Sequence, residues 1–155
     1  MPYLVDTNLL LRRAQPHHPL NAVVRKATEY LRDQGEQLYI TPQNLVEYWN
    51  VATRPENLNG LGMSPIEAGQ EVDRLEIFFG LLPETPEIYP RWRELVRHHA
   101  VSGRQVHDAR LVACMLVHDV FRLLSFNFSD FTRYSEITVV DPALVAPPPL
   151  AEGSL

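Results

Sequence analysis

Short apolar runs alternate along the chain with longer stretches in which apolar residues recur every three or four positions. The run PYLV at 2–5 is β-compatible, and a polar DTN followed by LLLRRA predicts a strand entering a short helix, with Asp6 at the strand's carboxyl end. LYI at 38–40, FGLLP at 79–83, FRLLSF at 121–126 and ITVV at 137–140 supply further short strands.

Between them lie helical patterns. Val23, Val24, Ala27, Tyr30 and Leu31 form one face of a helix over 20–34 that Gly35 closes. Thr41-Pro42 caps a helix carrying QNLVEYWNVATR, with a stripe of Leu45, Val46, Trp49 and Ala52 flanked by Glu47. RPENLNGLGM is a loop, and Ser64 with Glu67 three residues on is a capping box opening a helix to about Phe79. Tyr89-Pro90 starts a helix with Trp92, Leu95, Val96 and His99 inward. QVHDARLVACMLVHD is apolar on most sides and predicts a buried helix, and NFSDFTRY a loop or single turn.

Short strands alternating with amphipathic helices predict an α/β fold with a mostly parallel central sheet flanked by helices. In such sheets, sites lie at the carboxyl ends of the strands. One domain over 1–142 is expected, then a flexible Pro-rich tail over 143–155 within the closing stretch DPALVAPPPLAEGSL. A length of 155 residues allows one substantial core, and 45% hydrophobic with 21% charged residues is a globular composition.

Cys114 is the single cysteine, which removes disulfides and Cys-based zinc sites and favours a reducing, cytoplasmic compartment. No run approaches the roughly 20 apolar residues of a membrane span. The formal charge of -5 argues against holding nucleic acid by a broad basic surface, so such binding needs a local basic patch or metal ions.

The acids carry the candidate chemistry. Asp6 follows the first strand, Asn127 and Asp130 follow FRLLSF, and Glu47 and Asp108 interrupt strongly apolar helices. Burying ionised carboxylates costs several kcal/mol unless they are paired or bind metal. Mg²⁺ or Mn²⁺, which prefer oxygen donors, resolve a converging acid cluster, and such ions suit phosphodiester hydrolysis by activating water and offsetting charge on the phosphate.

VDTNLLL, NLVEYWNV, VHDARLVACML and LLSFNFSDF before ITVVDP, in that order, resemble the PIN-domain family, closest to the toxin ribonucleases of toxin-antitoxin pairs. The resemblance spans Met1 to about Pro142 and implies a PIN-like three-layer sandwich and a Mg²⁺- or Mn²⁺-dependent endoribonuclease. It also implies an RNA substrate, an antitoxin partner and a homodimer. Carried over by position, it makes Asp6, Glu47 and Asp108 the acidic metal-ligating core and Thr7 a hydroxyl bonding within the site, with Asn8 completing the DTN signature. In many relatives an aspartate follows the Thr or Ser ending the fourth strand. Here Ser125, Phe126 and Asn127 stand there and Asp130 comes three residues later, leaving Asn127 and Asp130 as alternatives for the fourth position.

The run RWRELVRHHAVSGRQ is the most basic in the chain, and Arg97 and Arg104 within it are candidates for gripping RNA phosphate. Arg12 and Arg13 are similar candidates. Each acid also has a plain reading: Asp6 as a helix cap, Glu47 as a partner of Arg54, Asp108 as a first-turn acid favoured by the helix dipole. The six histidines show no H-x3-H or HExxH spacing, so none specifies zinc. Three other classes of function stand beside the nuclease. A degenerate PIN domain would bind RNA or protein without turnover. A haloacid-dehalogenase-type phosphatase wants a second aspartate two residues after the first, where this chain has Asn8; a receiver-like domain needs a lysine after a late strand, and Lys26 is the only lysine.

Overall fold

A computed structural model describes residues 1–148. Five strands, β1 (Tyr3–Val5), β2 (Leu38–Ile40), β3 (Gly80–Leu81), β4 (Arg122–Leu124) and β5 (Thr138–Val140), form one sheet in the order β3-β2-β1-β4-β5. All four pairings are parallel. Seven helices surround it among the described residues: α1 (Thr7–Arg13), α2 (Asn21–Asp33), α3 (Pro42–Thr53), α4 (Pro65–Phe78), α5 (Ile88–His98), α6 (Gln105–Val117) and the single turn α7 (Phe128–Phe131).

The alternation of side chains along a strand divides the core between the two sheet faces. Leu4 and Leu123 join α5 and α6 through Leu95, Leu111, Val112 and Met115. Tyr3, Val5 and Leu124 join the opposite layer, built on Leu9, Leu10, Val24, Tyr48 and Leu75. Strand β1 is fully covered, as a central parallel strand should be, which is why it reads as an unbroken apolar run.

The chain turns outward in two directions from β1: β2 and β3 lie on one side, β4 and β5 on the other. The crevice of such a sheet opens where this reversal occurs, at the carboxyl ends of β1 and β4. Asp6 and Ser125 are the next residues on those two strands, and the Asp6 N–H still donates to Leu124 O at 3.0 Å.

Local signals hold the helices in place. Thr41 and Asn44 form a reciprocal capping box with Pro42 in the first turn of α3, and Ser64 Oγ accepts from Glu67 N at 3.1 Å at the start of α4. On α6 the buried positions include Ala109, Leu111, Val112, Ala113, Cys114 and Met115. The stripe expected on α3 is rotated. Asn44, Tyr48 and Ala52 are its buried face, whereas Val46 is 70% and Trp49 40% exposed. Turning the helix this way sends Asn44 and Glu47 toward the crevice, and the apolar stripe is left lining a groove against α4. Of the stretch 143–155, Ala143 and Leu144 close a 3-10 turn, Pro142–Leu144, and Val145 packs on the core; 149–155 lie outside the described residues.

Candidate active site

Asp6 is the N-cap of α1 and only 7% exposed. Its Oδ1 accepts from Thr7 N at 2.8 Å and its Oδ2 from Ser125 Oγ at 2.7 Å. Burial pushes this carboxyl up to about 6; the bonds from Ser125 and Thr7 oppose the rise, and the charges of Glu47 and Asp130 add to it. The cap reading and the cluster reading therefore coexist in one residue.

Thr7 carries the connection onward. Its hydroxyl donates to Glu47 Oε2 at 2.7 Å and accepts from Asn44 Nδ2 at 3.0 Å, while Asn44 Oδ1 accepts from Thr41 N at 2.9 Å. Gln43 Nε2 donates to the other Glu47 oxygen at 3.1 Å and to His107 O at 2.8 Å, tying α3 to the first turn of α6 beside Asp108. Glu47 is thus held by Thr7 and Gln43, not by Arg54. Arg110 reaches Gln43 Oε1 at 3.4 Å and pairs with both oxygens of Glu84, whose carboxyl it holds low.

Asp108, half-buried in the first turn of α6, is also pushed up to about 6. Burial is the main cause, followed by the charges of Asp130, Asp6 and Glu47, with Arg133 opposing. Four acids from α1, α3, α6 and α7 therefore share one electrostatic field. At the fourth position, Asp130 is the residue whose charge reaches both Asp6 and Asp108. Asn127 is exposed; its backbone N–H donates to Ser125 Oγ at 3.0 Å and its side chain makes no cap bond.

Asn8 Nδ2 points to Ser125 Oγ at 3.4 Å, and its buried Oδ1 has no hydrogen-bond partner. Arg104 precedes α6 and Arg97 lies in the last turn of α5; both are exposed, and neither acts on the acids as Arg133 does. Three supporting residues escaped the sequence reading. Asn44 was detectable as a polar residue three positions after the cap Thr41. Gln43 and Arg133 carry no sequence signal, because their roles depend on how α3, α6 and the segment after α7 meet.

The donors suit a hard divalent cation: all are oxygens, two carboxyls are held well above their usual range by burial and like charge, and a nearby amide oxygen is unpartnered. Among the described residues no three His, Cys, Asp or Glu side chains close around a single point. Mg²⁺ usually takes one or two carboxylates and fills its remaining positions with water.

The family model described as PIN domain matches residues 3–137. The chain belongs to the PIN-domain family. A comparison with curated proteins finds no match. This PIN domain is similar in fold to the VapBC2 structure from Rickettsia felis bound to a promoter DNA fragment: TM-score 0.69, 13% identity, 90% of this chain and 98% of that one. It is likewise similar to VapBC-1 from nontypeable Haemophilus influenzae, with TM-score 0.66, 15% identity and coverage of 92% and 98%. A third is Mycobacterium tuberculosis VapC20, a sarcin-ricin loop cleaving toxin, with TM-score 0.59, 16% identity and coverage of 84% and 95%. Among the described residues of this PIN domain, no helix is long and apolar enough to cross a membrane.

Proposed function

We propose that this PIN domain is a Mg²⁺- or Mn²⁺-dependent endoribonuclease, acting in the cytoplasm as the toxin of a toxin-antitoxin pair. The observation that carries the reading is the gathering of acids at the carboxyl edge of the sheet, where Asp6 is lifted by burial and by Glu47 and Asp130, and Asp108 by burial and by Asp130, Asp6 and Glu47. A site built only for stability gains nothing from such crowding. A site for a cation does.

Asp6, Glu47, Asp108 and Asp130 are the residues from which an ion would draw its one or two carboxylate ligands, with water filling the other positions. When bound, it supplies an activated water and offsets the charge that builds on the phosphate. The chain's own task is orientation. Ser125 and the Thr7 N–H fix both oxygens of Asp6, and Thr7 Oγ1 with Gln43 fixes both oxygens of Glu47. Arg133, beside Asp108 and hydrogen-bonded to Gln105 Oε1 at 2.6 Å, offers a guanidinium to substrate phosphate at the rim of the site. Arg97 and Arg104 extend that role to the rest of the strand, and Thr7, Asn8 and Asn127 line the approach.

The toxin assignment is supported by the VapBC complexes among the structural neighbours. A homodimer is supported by the groove of about 450 Å³ lined by Leu45, Val46, Trp49, Val72 and Leu81, an apolar surface on α3 and α4 that a second copy would cover.

The test is cleavage of a mixed RNA pool by purified protein with Mg²⁺ or Mn²⁺, with EDTA, and with Asp108→Asn alongside. Cutting that requires metal and vanishes in the variant supports the reading. One observation favours a second reading: Asn127 stands where many relatives carry an acid, and Asp130 is exposed on a single-turn helix. A binding module of this kind would retain RNA or partner binding while wild type and variant are equally inert.

A further inference from the structure

The most basic run in the sequence lies on α5, yet the structure gathers its arginines elsewhere. A cavity of about 440 Å³ between α1, α2 and α4 is lined by Arg13, Arg25, Arg32 and Arg74, with Glu71 and Phe78. Its volume lies in the usual range for small-molecule sites. It is a cationic pocket in a chain whose formal charge is -5.

Arg13 and Arg32 are ordered without being neutralised. The Arg13 guanidinium sits 4.0 Å and that of Arg32 4.1 Å from the Phe78 ring centroid, so the two cations are no more than about 8 Å apart. Stacking on a ring holds a guanidinium in place but leaves its N–H fork free. Neither side chain makes a hydrogen bond or ion pair among the described residues. Arg25 uses only Nε, which donates to Asn21 Oδ1 at 3.1 Å. Glu71 is engaged by Arg74. Burial and the charges of Arg25 and Arg32 lower the Arg13 pKa against the pull of Glu71 and Glu29.

We propose that Arg13, Arg25 and Arg32, with Arg74 at the rim, form a phosphate-binding site separate from the acid cluster. Phosphate fits better than carboxylate because several converging guanidinium groups match an anion with more charge and more acceptor oxygens. Base stacking is not part of the recognition, since Phe78 already carries two arginines. Asp6 caps α1 and Arg13 ends it, so the seven residues of the helix set the two sites about 10 Å apart at 1.5 Å per residue.

The experiment is calorimetric titration of the full chain with inorganic pyrophosphate, in EDTA and at low salt, where neither metal nor turnover contributes. Failure of the nuclease reading therefore leaves this proposal standing, and the reverse also holds. The variant is Arg25→Gln/Arg32→Gln, whose side chains are exposed, with Arg13→Gln as a second and Arg93→Gln on α5 as the control. Thermal unfolding checks that each folds. Saturable binding that weakens about tenfold or more in the double variant and in Arg13→Gln, and not in Arg93→Gln, is the expected result. A parallel titration with a short single-stranded RNA separates the sources. An equal loss there makes the ligand a nucleic-acid strand, and an unchanged RNA affinity makes it a free phosphate compound. Absence of pyrophosphate binding, or binding indifferent to the substitutions, overturns the proposal. So does tighter binding of an oligoglutamate peptide than of pyrophosphate, which would make the pocket a dock for an acidic protein segment.

Discussion

Ser125 Oγ donates to Asp6 Oδ2 at 2.7 Å, a contact between residues 119 positions apart that exists because β1 and β4 are adjacent parallel strands. Of the two hydrogen bonds that restrain the rise in Asp6 pKa, this one is the stronger influence. Ser125→Ala should therefore raise the Asp6 pKa further and leave more of the carboxyl protonated near neutrality. Mn²⁺ affinity should fall at pH 7 and recover at higher pH, a profile measurable by titration at several pH values. A loss that is independent of pH would show the hydroxyl to act in some other way.

The metal-free protein should become less stable as pH rises. Asp6 binds its proton more tightly when folded, with a pKa of about 6 against 3.8, so its contribution is complete below pH 4 and lost as pH passes 6. For this buried group the difference is on the order of 3 kcal/mol. Asp108 shifts the same way, with solvent reducing its share. In EDTA the melting temperature should drop between pH 4.5 and about 7. Asp6→Asn should raise it by several degrees at pH 7, and Mn²⁺ should stabilise wild type but not the variant. A variant no more stable than wild type in EDTA would contradict the charge-strain account.

Thr7→Val should separate support from chemistry. The hydroxyl accepts from Asn44 and donates to Glu47, so its removal leaves the fully buried Asn44 amide unpaired. Such a loss costs about 1–3 kcal/mol. Cleavage should fall because one Glu47 oxygen is then unrestrained. Gln43→Ala, at a partly exposed position, should lower cleavage with little change in melting temperature.

Val46 and Trp49 face the groove between α3 and α4. Val46→Glu should shift a dimer toward monomer in sedimentation velocity without lowering the melting temperature of the monomer. An unchanged dimer fraction would place the self-association surface elsewhere.

Much of the layer architecture was legible because each strand is a short apolar run and most helices bury a periodic face. Asp6 could be placed from sequence for the same reason: a carboxylate ending a fully covered strand sits at the sheet's carboxyl edge. The α3 stripe could not be placed. Leu45, Val46 and Trp49 look like a core face, but Asn44 is drawn inward by the Thr41 cap and by Thr7, so the helix turns and the apolar residues face a groove. Arg133 and Gln43 were hidden because their contacts join elements far apart in sequence. The arginine pocket was hidden likewise: its members are spread over three helices, Arg13 on α1, Arg25 and Arg32 on α2 and Arg74 on α4, with no run of neighbouring charges to mark them.

Whether the acid cluster holds a divalent cation can be read from Mn²⁺ binding at pH 7 by wild type, Asp6→Asn and Asp108→Asn. Saturable binding by wild type that is weakened by about tenfold or more in each variant, with both variants folded, is the predicted result. Wild-type protein that binds no Mn²⁺, or variants that bind it as tightly, would contradict the account.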